Sequence, residues 1–192
     1  MIYTPKIQKA IKFATKTHEV YQKQKRKGKD IAYITHPLTV GIILSLIKAK
    51  EDIVVAGILH DTIEDSIDQK KVNAKMLEER FGKKVARGVL SVTEIEKKLP
   101  WEERKKQALE HIKNFSHDSL LIKSADIIAN VSELLDDYNR YREEVFARFN
   151  APKEKILNHQ QMAIKSILKR WKGNPLSKDL NFLLKEIERI NN

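Results

Sequence analysis

The chain has 192 residues, 41% hydrophobic and 33% charged, a composition of a soluble globular protein long enough to bury a sizeable core in a single domain. It contains no cysteine, which excludes disulfides, thiolate metal sites and thiol catalysis. A formal net charge of +11 favours anionic partners, whether nucleotides, nucleic acid or an acidic surface, without choosing among them; aromatics are only 7% and no nucleic-acid-reading motif stands out. The N-terminus lacks the apolar stretch of a signal peptide, and no apolar run approaches the ~20 residues of a membrane span. A cytoplasmic protein is expected.

Glycine and proline are sparse, 6 and 5 residues, and most segments repeat their apolar positions with helical period, so the expected fold is all-α. Thr4-Pro5 opens a first helix with Thr4 as N-cap, its apolar face formed by Ile7, Ala10, Ile11, Ala14 and His18, with Phe13 near the edge. His18 reads as a hydrogen-bonded core histidine. Residues 21–30 form a basic loop. A second helix follows Thr35 as N-cap with Pro37 in its first turn, and a third begins at Asp52.

The third helix is apolar from Ile53 to Leu59 and ends in His60-Asp61-Thr62-Ile63-Glu64-Asp65. On a continuous helix His60 would share a face with Glu64, and Asp61 with Asp65. Buried charge at the end of an apolar element is costly unless paired or bound to metal.

A turn is expected at Ser66-Ile67-Asp68, then an amphipathic helix stopped by Gly82, and a run from Val85 to Val92. Pro100-Trp101-Glu102-Glu103 looks like another helix start. Asp118 or Ser119 caps the following helix, which carries Asp126 inside the apolar run Leu120–Val131 with Asn130 one turn further on the same face. Residues 140–172 read as a long basic helix broken near Asn150-Ala151-Pro152, with His159 on a solvated face among Gln160 and Gln161. Residues 174–192 form a C-terminal helical extension of the single domain, residues 1–192.

Collected, His36, His60, Asp61 and Asp126 supply two imidazoles and two carboxylates, a set that suits Mn²⁺, Fe²⁺, Co²⁺ or Zn²⁺ rather than Ca²⁺. Four protein ligands leave open positions in an octahedral shell for water and a phosphoryl oxygen. Glu64 and Asp65, one turn on, are placed to handle the attacking water, and the basic loop to hold phosphates. Metal-assisted hydrolysis of a phosphate ester accounts for the pattern.

These residues resemble the H…HD…D signature of the HD-domain metal-dependent phosphohydrolases, an all-α helical bundle, and specifically the RelA/SpoT-type hydrolase domain and its small stand-alone relatives. The resemblance rests on Phe13-Ala14 and His18, Arg26-Lys27-Gly28, and Tyr33-Ile34-Thr35-His36-Pro37-Leu38. It continues in Leu59-His60-Asp61-Thr62-Ile63-Glu64-Asp65-Ser66, Phe81-Gly82, Val92-Thr93 and Ile122-Lys123-Ser124-Ala125-Asp126 with Asn130, covering about residues 5–170. It implies hydrolysis of guanosine 3′,5′-bis(diphosphate), ppGpp, and of pppGpp, with release of pyrophosphate from the 3′ position by a hydrolase-only protein, usually with Mn²⁺. His36, His60, Asp61 and Asp126 would bind metal, Glu64 and Asp65 would handle water, and Arg26, Lys27 and Asn130 would contact the nucleotide. The chain departs from the family in Asp126-Ile127-Ile128-Ala129-Asn130, where Asp-Arg-Leu-His-Asn is common, and lacks a clean Tyr-Phe-x-Trp-Ala segment. The same metal chemistry on another nucleotide, a deoxynucleotide or NADPH, is an alternative. A non-catalytic nucleotide or RNA binder is a second, although a pure binder has no use for the acid pair.

Overall fold

The computed structural model describes residues 3–66, 72–94, 96 and 98–191, and among them the chain is helical, with an isolated bridge between Lys25 and Ala32 in place of any strand. The expected turn at Ser66-Ile67-Asp68 lies, beyond Ser66, outside the described residues. No helix among the described residues is long and apolar enough to cross a membrane.

Helix α1 (Pro5–Thr15) begins as expected, with the Thr4 hydroxyl accepting from the Ile7 amide (3.2 Å) and proline in its first turn. It widens into a π-helical turn, Lys16–Tyr21, in which Gln22 N donates to Thr17 O (3.1 Å). That turn buries Thr17 and His18 together, and His18 Nδ1 meets Gln24 Oε1 at 2.7 Å. The basic segment then folds back on itself through the Lys25–Ala32 bridge and Arg26 N to Ile31 O (2.8 Å). Gly28 makes its tight end with φ +70°, and an added Cβ there would lie 2.8 Å from Arg148 Cβ.

Helices α2 (Thr35–Leu46) and α3 (Glu51–Leu59) pack face to face through a reciprocal pair of glycines. A Cβ on Gly41 would lie 2.6 Å from Ile58 Cγ1, and one on Gly57 would lie 2.4 Å from Leu44 Cδ1. This close approach brings His36, at the start of α2, beside His60, just past the end of α3. Thr35 is the first helical residue, with Ile34 in the cap position; its hydroxyl donates back to Ala32 O (2.9 Å). The third helix likewise starts at Glu51 after Lys50, one residue earlier than expected, and Asp52 pairs with Lys6 (2.5 Å).

Every residue of α3 from Ile53 to Leu59 is buried, as its uninterrupted apolar run requires. Gly57→Ala should therefore destabilise the fold by roughly 1–3 kcal/mol through overpacking against Leu44. Urea unfolding checks this; an unchanged midpoint would mean that α2 and α3 part freely.

Helix α4 (Thr62–Ser66) follows the His60-Asp61 turn. Helices α5 (Ala74–Phe81) and α6 (Lys83–Val92) meet at Gly82, φ +92°. Helix α7 (Trp101–Ile112) starts at Pro100-Trp101 as its sequence predicts. Helix α8 (His117–Tyr141) is capped by Ser116, whose hydroxyl accepts from Ser119 N (3.1 Å), rather than by Asp118 or Ser119. It ends at Arg142, φ +50°, and a 3₁₀ segment, Arg142–Arg148, leads past the expected break into α9 (Lys153–Arg170) and then α10 (Ser177–Asn191).

The 25-residue α8 divides the interior. Leu121, Ile122, Ala125 and Ala129 join the core built on α1, α2, α3, α5 and α6. Leu120, Ile127, Val131 and Leu134 join a second core with α9 and α10, where Leu180, Leu183, Ile187 and Ile190 are buried. Asp126 sits on α8 where these two cores meet.

Candidate metal centre

The apolar helix ends where side chains take up its carbonyls. His60 Nδ1 lies 2.8 Å from Gly57 O, and the Thr62 hydroxyl donates to Leu59 O (2.7 Å). In an unbroken helix those carbonyls would serve the amides of Asp61 and Ile63. The helix thus breaks at His60-Asp61 and resumes as α4, while Asp65 N still reaches Asp61 O (2.9 Å).

When His60 is neutral, with Nδ1 donating to that carbonyl, Nε2 offers its lone pair toward the interior to a cation in place of a proton. His36 Nε2 faces it at 3.2 Å. Asp61 Oδ2 is 3.1 Å from His60 Nε2 and 3.5 Å from His36 Nε2; Asp126 Oδ1 is 3.3 Å from His36 Nε2 and 3.8 Å from His60 Nε2. The donor atoms of His36, His60 and Asp126 all lie within 4.8 Å of one another, and each of these residues is buried. Burial penalises a charged His60, but Asp61 and Asp126 outweigh it and raise its pKa well above the usual imidazole range. Burial likewise opposes ionisation of Asp61 and Asp126, yet His60 for the first and Lys123 for the second hold them below the usual carboxylate range. A cation at this point meets two imidazole nitrogens and two ionised oxygens, so the residues present fit a divalent transition metal.

The expected ligands are therefore brought together, and each carboxylate is oriented from outside the cluster. The Tyr33 hydroxyl donates to Asp61 Oδ2 (2.6 Å). Lys123, three residues before Asp126 on α8, donates to its Oδ2 (2.8 Å), and Asn130 Nδ2 donates to its Oδ1 (2.7 Å). Lys123 could be anticipated from its i, i+3 spacing on a helix; the role of Tyr33 depends on the basic loop folding back and has no local signal.

A cavity of about 300 Å³ opens over the cluster, lined in part by Lys27, Asp61, Glu64, Lys105, Lys123 and Asn130. The acid pair diverges. Glu64 lines this cavity and its Oε2 accepts from Glu94 N (3.0 Å), whereas the Asp65 carboxylate lies 3.4 Å from His18 Nδ1. Lys27 and Asn130 also line it. Arg26 borders an adjoining cavity of about 250 Å³ instead, with its guanidinium on Glu133 and Asn130. On the far wall stand Trp101 and His159, ring centroids 6.1 Å apart.

His159 is thus part of the cavity and not of a solvated face, because Trp101 from α7 packs against it. Burial first, and then the charges of Lys105 and Lys123, push its pKa from 6.5 down to about 4, with Glu94 opposing. Between pH 6.5 and 4 the unfolded chain binds a proton at this residue that the folded chain refuses, so stability falls as pH falls through that window. His159→Gln should lose less stability between pH 7 and pH 5 than the parent chain in urea unfolding; equal losses would contradict the assignment.

Comparison with known proteins adds the family. The HD-domain model matches residues 10–156, which contain every ligand described above. Danio rerio guanosine-3′,5′-bis(diphosphate) 3′-pyrophosphohydrolase MESH1 is 37% identical over 126 residues, 65% of this chain and 66% of that protein. The Homo sapiens MESH1 is 35% identical over 127 residues, 65% of this chain and 67% of that protein. The chain thus spans about two thirds of the length of these relatives. A solved structure described as a metazoan ortholog of SpoT that hydrolyzes ppGpp superposes with TM-score 0.74 at 25% identity, covering 97% of this chain and 96% of the other. With its donor set enclosed in a match of that extent, this chain belongs to the HD-domain family.

Proposed function

We propose that this protein is a metal-dependent phosphohydrolase that splits guanosine 3′,5′-bis(diphosphate) and its 5′-triphosphate analogue at the 3′ position, releasing pyrophosphate. The observation that carries the reading is the convergence of His36, His60, Asp61 and Asp126 beneath a cavity walled by both an acid, Glu64, and the cations Lys27, Lys105 and Lys123. The MESH1 relatives, named for this reaction, support the choice of substrate.

His36, His60, Asp61 and Asp126 would hold the ion, with Mn²⁺ the first choice for a mixed nitrogen and oxygen set. The chemistry such an ion supplies when bound is acidification of water and polarisation of a phosphoryl oxygen. Tyr33, Lys123 and Asn130 fix the carboxylates of the set. Glu64 stands at the cavity wall to take a proton from the attacking water, its carboxylate aimed by the Glu94 amide. Asp65, against His18, orients the same turn. Lys105 and Lys123 present cations to a polyphosphate, and Lys27 lies over the Phe149 ring (5.5 Å) at the cavity edge.

Lys27→Ala should raise KM for ppGpp about tenfold, the scale of one charge-assisted contact, with kcat nearly unchanged. Steady-state kinetics checks this; an unaltered KM would remove Lys27 from the substrate site. The reading as a whole is tested by incubating the protein with Mn²⁺ and ppGpp, NADPH or a deoxynucleoside triphosphate panel while following pyrophosphate and phosphate separately. Pyrophosphate with an equal amount of GDP from ppGpp is expected. Phosphate release from NADPH alone, or turnover confined to deoxynucleotides, would replace the substrate.

A further inference from the structure

The guanidinium of Arg26 makes no wall of the cavity over the metal centre, yet it is almost fully enclosed, with 12% of the side chain exposed. Its Nε and Nη2 donate to Glu133 Oε2 at 2.9 and 2.7 Å. The same Nη2 donates to Asn130 Oδ1 at 2.9 Å, and Asn130 Nδ2 donates to Asp126 Oδ1 at 2.7 Å. Glu133 is itself held from its other side. Lys29 Nζ bonds its Oε1 (2.7 Å) and also Asp137 Oδ2 (2.5 Å), which pairs with Arg148 Nη2 (2.7 Å). The basic loop is in this way bolted to α8 at three successive acids or amides, one turn apart: Asn130, Glu133 and Asp137.

The chemistry of this chain gives it a direction. Arginine can only donate, and a carboxylate can only accept. An Asn130 amide between them has one satisfactory orientation, oxygen to Arg26 and nitrogen to Asp126. The flipped amide would set N–H against guanidinium and oxygen against carboxylate. We propose that Arg26 is a positioning residue of the metal centre: clamped by Glu133, it fixes the Asn130 amide, which in turn fixes Asp126 Oδ1 in the donor set. The inference rests on the metal-centre reading above and reassigns Arg26, which its sequence context places on the nucleotide. Lysine is not an equivalent, since a single nitrogen does not reproduce the planar pair, Nε and Nη2, that converges on Glu133 Oε2 while Nη2 also holds Asn130 Oδ1.

The test is Mn²⁺ affinity without substrate, by electron paramagnetic resonance of free Mn²⁺, in parallel with steady-state kinetics. Arg26→Lys should weaken Mn²⁺ binding about tenfold, the lower end for partners behind a ligand, and lower kcat, with KM for ppGpp within about twofold. Glu133→Gln, which keeps the guanidinium but loosens its anchor, should move Mn²⁺ affinity the same way and serves if Arg26→Lys fails to fold. In an Asn130→Ala background, Arg26→Lys should have little further effect on Mn²⁺. Unchanged Mn²⁺ affinity in both single variants overturns the inference, and a raised KM alongside it makes Arg26 a substrate contact. A parent chain that binds no Mn²⁺ overturns the metal-centre reading itself, so the two failures are distinct.

Discussion

Asp61→Ala is expected to leave the chain without tightly bound transition metal and to reduce ppGpp turnover by roughly three orders of magnitude or more, the equivalent of ~4 kcal/mol of lost transition-state stabilisation. Its Oδ2 lies close to both imidazoles, 3.1 Å from His60 Nε2 and 3.5 Å from His36 Nε2, and Tyr33 holds it in place. Alanine removes a charge from the donor set and leaves the half-buried Tyr33 hydroxyl without its acceptor. Metal content after Mn²⁺ loading and desalting, together with kcat, checks this. Parent-level metal in the variant would take Asp61 out of the donor set.

Glu64→Gln should behave oppositely in its first half: Mn²⁺ content is retained while kcat falls by roughly 10²–10⁴, the range for removing a general acid or base. Glutamine keeps the oxygen that accepts from Glu94 N, so the α4 backbone stays seated, and only the ability to take a proton is lost. The pH profile of kcat should lose the limb that reports this carboxylate. Full turnover in the variant would move the proton-handling role to another residue. Paired with Asp61→Ala, this variant separates holding the ion from using it.

The parts of the site that were legible from the chain are those set by local spacing. An acid inside the apolar run of α8 demanded partners, and it has them in His36, His60, Lys123 and Asn130. His18, on the apolar face of the first helix, is fully buried with Gln24 as its partner. What local pattern cannot carry is competition between side chain and backbone, or contact across great sequence distance. The break at His60-Asp61 arises because an imidazole and a hydroxyl capture helix carbonyls, so the i, i+4 grouping of His60 with Glu64 gives way to a turn. Ser116 caps α8 ahead of Asp118 and Ser119 because its side chain reaches the Ser119 amide, a choice among neighbouring polar residues that propensity does not rank. Arg26 finds Glu133 across 107 positions, and His159 is covered by Trp101 from another helix. For His159 polar neighbours in sequence suggested an outward face, and for Arg26 the basic loop suggested a nucleotide contact; tertiary packing seats the first against Trp101 and the second on Glu133.

The four candidate ligands are announced by the chain in a way that the rest of the cavity wall is not. Ligands sit at the ends or centres of strongly apolar helices, where burial follows from pattern. The cavity wall away from the four candidate ligands is assembled from the basic loop, α7 and α9, with no shared period to announce it. Its character emerges only once Lys27, Trp101, Lys105 and His159 are seen around one cavity.

The claim on which everything else depends is that His36, His60, Asp61 and Asp126 share one divalent cation. Anomalous diffraction at the manganese edge from crystals soaked in Mn²⁺ measures it directly. A single strong peak is expected within ligand distance of His36 Nε2, His60 Nε2, Asp61 Oδ2 and Asp126 Oδ1. No peak among these four atoms, or a peak held elsewhere on the chain, would contradict it.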